Sequence, residues 1–115
     1  MSVPLSRGDI ILVPFPFTDL SSSKVRPALV LNVSGEDILV AFISSVIPSP
    51  PRPTDFTVSP SHPDFPKTGL RSASTFKLFK LICLNRSLAL RKLGSVSSGL
   101  QRELDVSLSK AVGLR

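Results

Sequence analysis

Arg26 is the residue of this chain best suited to chemistry. It follows a polar loop, Asp19-Leu20-Ser-Ser-Ser-Lys24, and opens the apolar run Ala28-Leu29-Val30-Leu31. The ring of Pro27 disfavours a helical residue before it, so Arg26 is biased to extended backbone. A permanently charged guanidinium is thereby offered at a strand edge beside a loop, where its planar fork of donors matches a phosphate. Other reactive groups are scarce. His62, the only histidine, lies in Ser-His-Pro-Asp and reads as an exposed loop residue rather than a general base. Cys83, the only cysteine, is flanked by Leu81, Ile82 and Leu84 and reads as a buried structural thiol rather than a nucleophile. There is no intrachain disulfide to form, no metal-ligand cluster and no Gly-rich phosphate loop.

Charge points the same way as Arg26. The formal net charge is +6, and no acidic residue occurs between Asp64 and Glu103. That stretch carries eight positive residues: Lys67, Arg71, Lys77, Lys80, Arg86, Arg91, Lys92 and Arg102. The remainder of the chain holds six basic and eight acidic residues, so one segment supplies the whole surplus. A patch of this kind suits a polyanion or an acidic protein; the plainer reading is a solvated face that keeps the protein soluble.

These groups need a scaffold, and 115 residues at 42% hydrophobic content suffice for one domain, 1–115, with one core. No apolar run approaches the roughly 18 residues of a membrane span. The first residues lack a basic start followed by an apolar stretch, so no signal peptide is read. With a single cysteine, this predicts a reducing, cytoplasmic setting and no membrane association. Residues 10–17 read as a strand that must end, bulge or lie on an edge at Pro14 and Pro16. Residues 27–32 read as a short buried strand, 34–37 as a turn, and 38–43 as a strand buried on both faces because it does not alternate. A hairpin followed by a third strand is a sheet meander, the start of a small barrel. Residues 48–53 read as an irregular crossing, 54–58 as an edge strand, and 59–68 as a loop. Residues 70–84 lean to strand with a bulge near Phe79, and 87–93 read as a strand ended by Gly94. Only the C-terminus reads as helix: Ser97 or Ser98 caps it, Leu100, Leu104, Leu108 and Val112 form one apolar stripe, and Gly113 stops it.

The segment Arg7-Gly8-Asp9-Ile-Ile-Leu-Val-Pro-Phe-Pro-Phe-Thr18-Asp19, followed by Arg26-Pro27-Ala28-Leu29-Val30-Leu31, resembles the opening of MazF/PemK toxins, the ribonucleases of type II toxin–antitoxin modules. The resemblance continues in Ala41-Phe42-Ile43-Ser44, Thr68-Gly69-Leu70, Ser74-Thr75-Phe76-Lys77-Leu78 and Ser87-Leu88-Ala89-Leu90-Arg91-Lys92-Leu93-Gly94. It implies a mainly β (α+β) fold, an SH3-like small barrel of five to seven strands with a C-terminal helix. It further implies a homodimer with a groove for single-stranded RNA at or near its interface, and an acidic antitoxin that covers the groove. The implied reaction needs no metal and no cofactor: the ribose 2′-hydroxyl attacks the adjacent phosphate, leaving a 2′,3′-cyclic phosphate and a 5′-hydroxyl.

On that resemblance Arg26 matches the Arg-Pro arginine and would stabilise charge on the phosphorane oxygens. Ser44 matches a hydroxyl position at the end of the third strand and would hydrogen-bond the scissile phosphate, with Ser45 as a substitute. Phe17 could stack a base, and Lys24, Lys77 and Lys80 would contact phosphate. The plainer readings are a surface ion pair for Arg26, a polar strand end for Ser44, a core ring for Phe17 and solvated lysines. In a subset of relatives the position of Lys77 is arginine, followed two residues on by aspartate; here that second residue is Phe79, so the acid–base pair is incomplete. Two non-nuclease readings remain on the same fold: a CcdB-like gyrase inhibitor, and a degenerate module that binds RNA without cutting it.

Overall fold

Apolar residues fill 28–31 and 38–43 without alternation, as in strands covered on both faces. In the computed structural model, which describes residues 4–15 and 24–114, these stretches become β2 (Lys24–Ser34) and β3 (Asp37–Ser44). Both lie at the middle of a six-stranded sheet completed by β1 (Asp9–Phe15), β4 (Asp55–Val58), β5 (Ser74–Asn85) and β6 (Arg91–Ser95). The strand order is β4-β5-β3-β2-β1-β6, every pairing is antiparallel, and the sheet curls into a half-barrel. A short helix α1 (Phe65–Thr68) precedes β5, and α2 (Ser98–Ala111) closes the chain. The fold is therefore the mainly β architecture expected, with the C-terminal helix.

The two faces of the sheet bury separate clusters. On one side Ile10, Leu29, Ala41, Ile43, Phe76 and Leu78 pack with Leu100 and Leu104 of α2. On the other, Ile11, Val13, Ala28, Val30, Ile38 and Val40 pack with Leu84, and Leu5, Phe42, Ile82 and Ala89 close over them. β3 serves both, which is why its sequence does not alternate: Ile38 and Val40 point to the second cluster, Ala41 and Ile43 to the first.

α2 forms where its stripe and cap agree. Ser97 accepts a hydrogen bond from the Leu100 N–H (3.1 Å) and donates its hydroxyl to Asp64 (2.6 Å). The stripe is buried only at its start: Leu100 and Leu104 are fully covered, Leu108 half, and Val112, which caps the helix, is exposed.

Several expectations are refined. β2 is longer than 27–32, and the loop 59–68 ends in α1, with Pro66 in its first turn and Gly69 in a left-handed C-cap (φ 73°). The strand expected at 87–93 begins with a 3-10 turn (Arg86–Leu88), and β6 runs through Gly94 instead of stopping there. A Cβ at Gly94 would stand 2.4 Å from the Lys67 carbonyl oxygen, so close approach of α1, not a strand end, explains that glycine. Cys83 is exposed, not buried: it pairs with Leu39, itself at an uncovered part of the sheet.

Candidate nucleic-acid interface

Two local irregularities open a groove in the sheet. The β2–β3 ladder ends at Ala28↔Phe42. Pro27 brings no N–H to continue it. β2 then stays with β1, through Pro27↔Leu12 and Arg26↔Val13, while β3 stays with β5, through Ile43↔Phe76 and Ser44↔Thr75. The strands splay, and continuing their register would set Arg26 opposite Ser44 across the gap. The second irregularity is in β5. Adjacent β3 residues Ala41 and Phe42 pair with Leu81 and Lys77, which leaves Leu78, Phe79 and Lys80 as a bulge at the expected place.

The resulting groove has a volume of about 990 Å³. Its walls carry Lys24, Arg26, Ser44, Ser45 and Lys80, five of the residues singled out by sequence, over an apolar floor that includes Pro27, Phe42, Ile43 and Leu81. Two more arginines line it, Arg71 from the turn before β5 and Arg91 from β6. Arg91 arrives by topology: Leu12 pairs with Pro27 on one side and Arg91 on the other, so β6 lies two strands from the Arg-Pro step. Both arginines belong to the basic segment, but composition could not say which of its cations face the groove. Lys77 is absent from the lining; it is half-buried and sits in register between Phe42 and Asp55. Phe17 and residues 19–23 lie outside the described residues.

The electrostatics are one-sided. Among the described residues the groove has no carboxylate in its walls, and none of Lys24, Arg26, Arg71, Lys80 or Arg91 has an acidic partner. Opposed walls of like charge with an apolar floor concentrate a positive field and favour a polyanion. The Ser44 hydroxyl is already oriented: its Oγ accepts the Val46 N–H at 3.1 Å, which leaves the hydroxyl proton free to donate towards the gap. Lys80 lies with its Nζ 5.9 Å from the centroid of Phe42.

Away from the groove, His62 is occupied with the fold. His62 accepts the Asp64 N–H at Nδ1 (3.1 Å) and meets Glu103 through Nε2 (3.1 Å), which ties the 59–64 loop to α2. It is 20% exposed rather than free in solvent, and it stands apart from the groove lining. Among the described residues no group of three His, Cys, Asp or Glu could hold a metal ion, and no helix is long and apolar enough to cross a membrane.

The chain matches, over residues 6–112, the family model described as PemK-like, MazF-like toxin of type II toxin–antitoxin system. In fold it is similar to an endoribonuclease from Mycobacterial species in complex with its cognate antitoxin, with a TM-score of 0.74, 16% identity, and coverage of 97% of this chain and 98% of that one. It is also similar to the Mycobacterium tuberculosis toxin MazF-mt6 (TM-score 0.72, 17% identity, 93% and 98% covered). A third similar structure is MazE-MazF from Deinococcus radiodurans (TM-score 0.69, 18% identity, 95% and 96% covered). No curated protein matches it by sequence.

Proposed function

Because the chain belongs to the PemK-like, MazF-like toxin family of type II toxin–antitoxin systems, we propose that it is an endoribonuclease that cleaves single-stranded mRNA in the groove between the splayed ends of β2 and β3. The observation that carries this reading is the pairing of a fixed guanidinium, Arg26, with a pre-oriented hydroxyl, Ser44, on opposite lips of a cation-lined groove.

The chemistry follows from that placement. The 2′-hydroxyl gives its proton to solvent water as its oxygen bonds to phosphorus, the bond from phosphorus to the 5′-oxygen breaks, and that oxygen takes a proton from solvent water. The products are a 2′,3′-cyclic phosphate and a 5′-hydroxyl. As the phosphorane forms, negative charge grows on its equatorial oxygens. Arg26 supplies two parallel donors to them, and Ser44 a third. Lys24, Lys80, Ser45 and the two arginines missed by sequence reasoning, Arg71 and Arg91, hold the flanking backbone phosphates. The chemistry uses protein groups and the ribose itself, so it proceeds without metal.

The positive charge of the same groove suits an acidic antitoxin; fold relatives include an endoribonuclease in complex with its cognate antitoxin. The toxin acts in the cytoplasm as a homodimer; Val46 and Ile47, 68% and 48% exposed just beyond Ser45, give the rim an apolar surface for a second copy. The direct test is to incubate the purified protein with long single-stranded RNA in EDTA and map the ends. Cyclic phosphate and 5′-hydroxyl ends at recurring sequences are expected; intact RNA at high protein concentration across varied sequences overturns the proposal.

A further inference from the structure

The structure gives Phe79 an unusual setting. It is the middle residue of the β5 bulge. Leu78 before it is fully buried, whereas Phe79 is 61% exposed and lines the groove. A lone exposed aromatic on a convex surface carries little meaning. This one lies within a groove, with a cation fixed behind it. The Arg52 guanidinium carbon stands 5.8 Å from the ring centroid. Arg52 is itself anchored: its main-chain N–H donates to Asp55 Oδ2 (3.3 Å), and its Nε lies 3.7 Å from the same oxygen. The Asp55 side chain is only 2% exposed, so the brace belongs to the body of the protein.

An exposed ring with a guanidinium over it, lining a groove walled by cations, combines the two parts of a single-strand binding site. Cations track the backbone, and a π-face receives a base. We propose that Phe79 is a stacking platform for one unpaired RNA base, with Arg52 as its cationic backing and Asp55 as the residue that positions Arg52. The inference rests on the RNA groove proposed above. The groove's uniform positive charge favours a nucleotide over an apolar protein side chain as the occupant, because a base arrives with its own phosphate.

The protein contains no tryptophan and no tyrosine, so Phe79→Trp introduces its only strong fluorophore at the proposed contact. The probe is a random-sequence single-stranded 2′-O-methyl oligonucleotide, which lacks the nucleophile and stays intact. Strong quenching is expected with this strand and little with an abasic strand of equal length and charge. In parallel, Phe79→Ala should raise KM for RNA about tenfold with kcat within about twofold, and Phe79→Tyr should restore it. No quenching when a labelled strand reports saturated binding overturns the platform, as does equal quenching by the abasic strand or an unchanged KM in Phe79→Ala. Wild-type protein that cuts no RNA, while the fluorescence of the Phe79→Trp variant responds to bases, removes the nuclease reading and leaves the platform standing. Quenching by an antitoxin peptide but by no nucleic acid assigns the ring to protein recognition and overturns the proposal.

Discussion

Where α2 and the start of β1 pack together, charges meet opposite charges: Arg7 bonds Asp105, Lys92 reaches Asp9 (3.1 Å), and His62 holds Glu103 (3.1 Å). Around the groove, five cationic side chains stand without an acidic partner among the described residues. The first region also seals Leu100 and Leu104 against Ile10, Leu29 and Phe76. The second owns the interrupted ladder and the bulge. One region spends its polar groups on the fold; the other holds them ready for a ligand. Stability and activity should therefore separate by region, and each substitution below asks whether they do.

The largest effect falls in the packed region. Leu104→Ala removes a fully buried side chain beneath α2 and should cost about 2–5 kcal/mol, read as a lower denaturant midpoint with an unchanged slope. Below its melting temperature the variant should cut RNA at the normal rate. A large fall in cleavage by folded protein would break the separation.

Arg26→Ala is the mirror image. If Arg26 stabilises the phosphorane, its loss should lower cleavage by about 10²–10³-fold, on the scale of losing one oxyanion donor, while the melting temperature stays within error, because Arg26 is exposed and has no acidic partner among the described residues. Arg26→Lys keeps the charge without the planar fork and should recover only a small part of the rate. Full activity in Arg26→Ala would remove this residue from the mechanism.

A smaller and more discriminating effect is expected at the cap of α2. Ser97→Ala leaves the Leu100 N–H without its acceptor and Asp64 without a donor, and should cost about 1 kcal/mol. Ser97→Asp, ordinarily a sound cap, should be worse than Ala here, since its carboxylate would meet Asp64, now 2.6 Å from the serine oxygen. Thermal melts of the two variants rank them, and equal stability would show that the Ser97–Asp64 contact matters little. Neither variant should alter cleavage.

What could be read from the sequence follows the same division. The stripe of Leu100 and Leu104, the cap at Ser97, the two-sided burial of 38–43 and the bulge near Phe79 are local patterns, because each is set by side-chain period or backbone chemistry within a few residues. Arg26 and Ser44 were also legible, the first through Pro27 and the second through family resemblance. Arg71 and Arg91 were not. The place of Arg91 depends on β6 returning beside β1, a pairing some 80 residues apart in the chain, and that of Arg71 on β5 returning beside β3; no local pattern encodes either. The position of Lys77 outside the groove lining was hidden by the same limit: alternation in residues 75–78 is visible, but which side of the strand meets the groove depends on the register with β3 and β4. Cys83 looked buried from its neighbours, yet it and its partner Leu39 lie exposed in the β3–β5 pair.

The weakest predicted effect bears on what the unpaired cations are for. If they only keep the protein soluble, removing one leaves RNA affinity unchanged at every salt concentration. If they neutralise backbone phosphates, each releases counterions, and log K falls against log salt by about 0.7 per contact for a single strand. Five engaged groove cations would then give a slope near about −3.5. Arg91→Ala should reduce the steepness by about 0.7 and weaken binding only modestly at physiological salt, whereas Lys92→Ala, one residue on and paired with Asp9, should leave the slope alone. Binding is measured with an uncleavable 2′-O-methyl strand, so that the slope reports contact and not turnover. Equal slopes for the two variants would mean that pairing, or its absence, does not mark which cations meet RNA, and the contrast between the two regions would lose its electrostatic half.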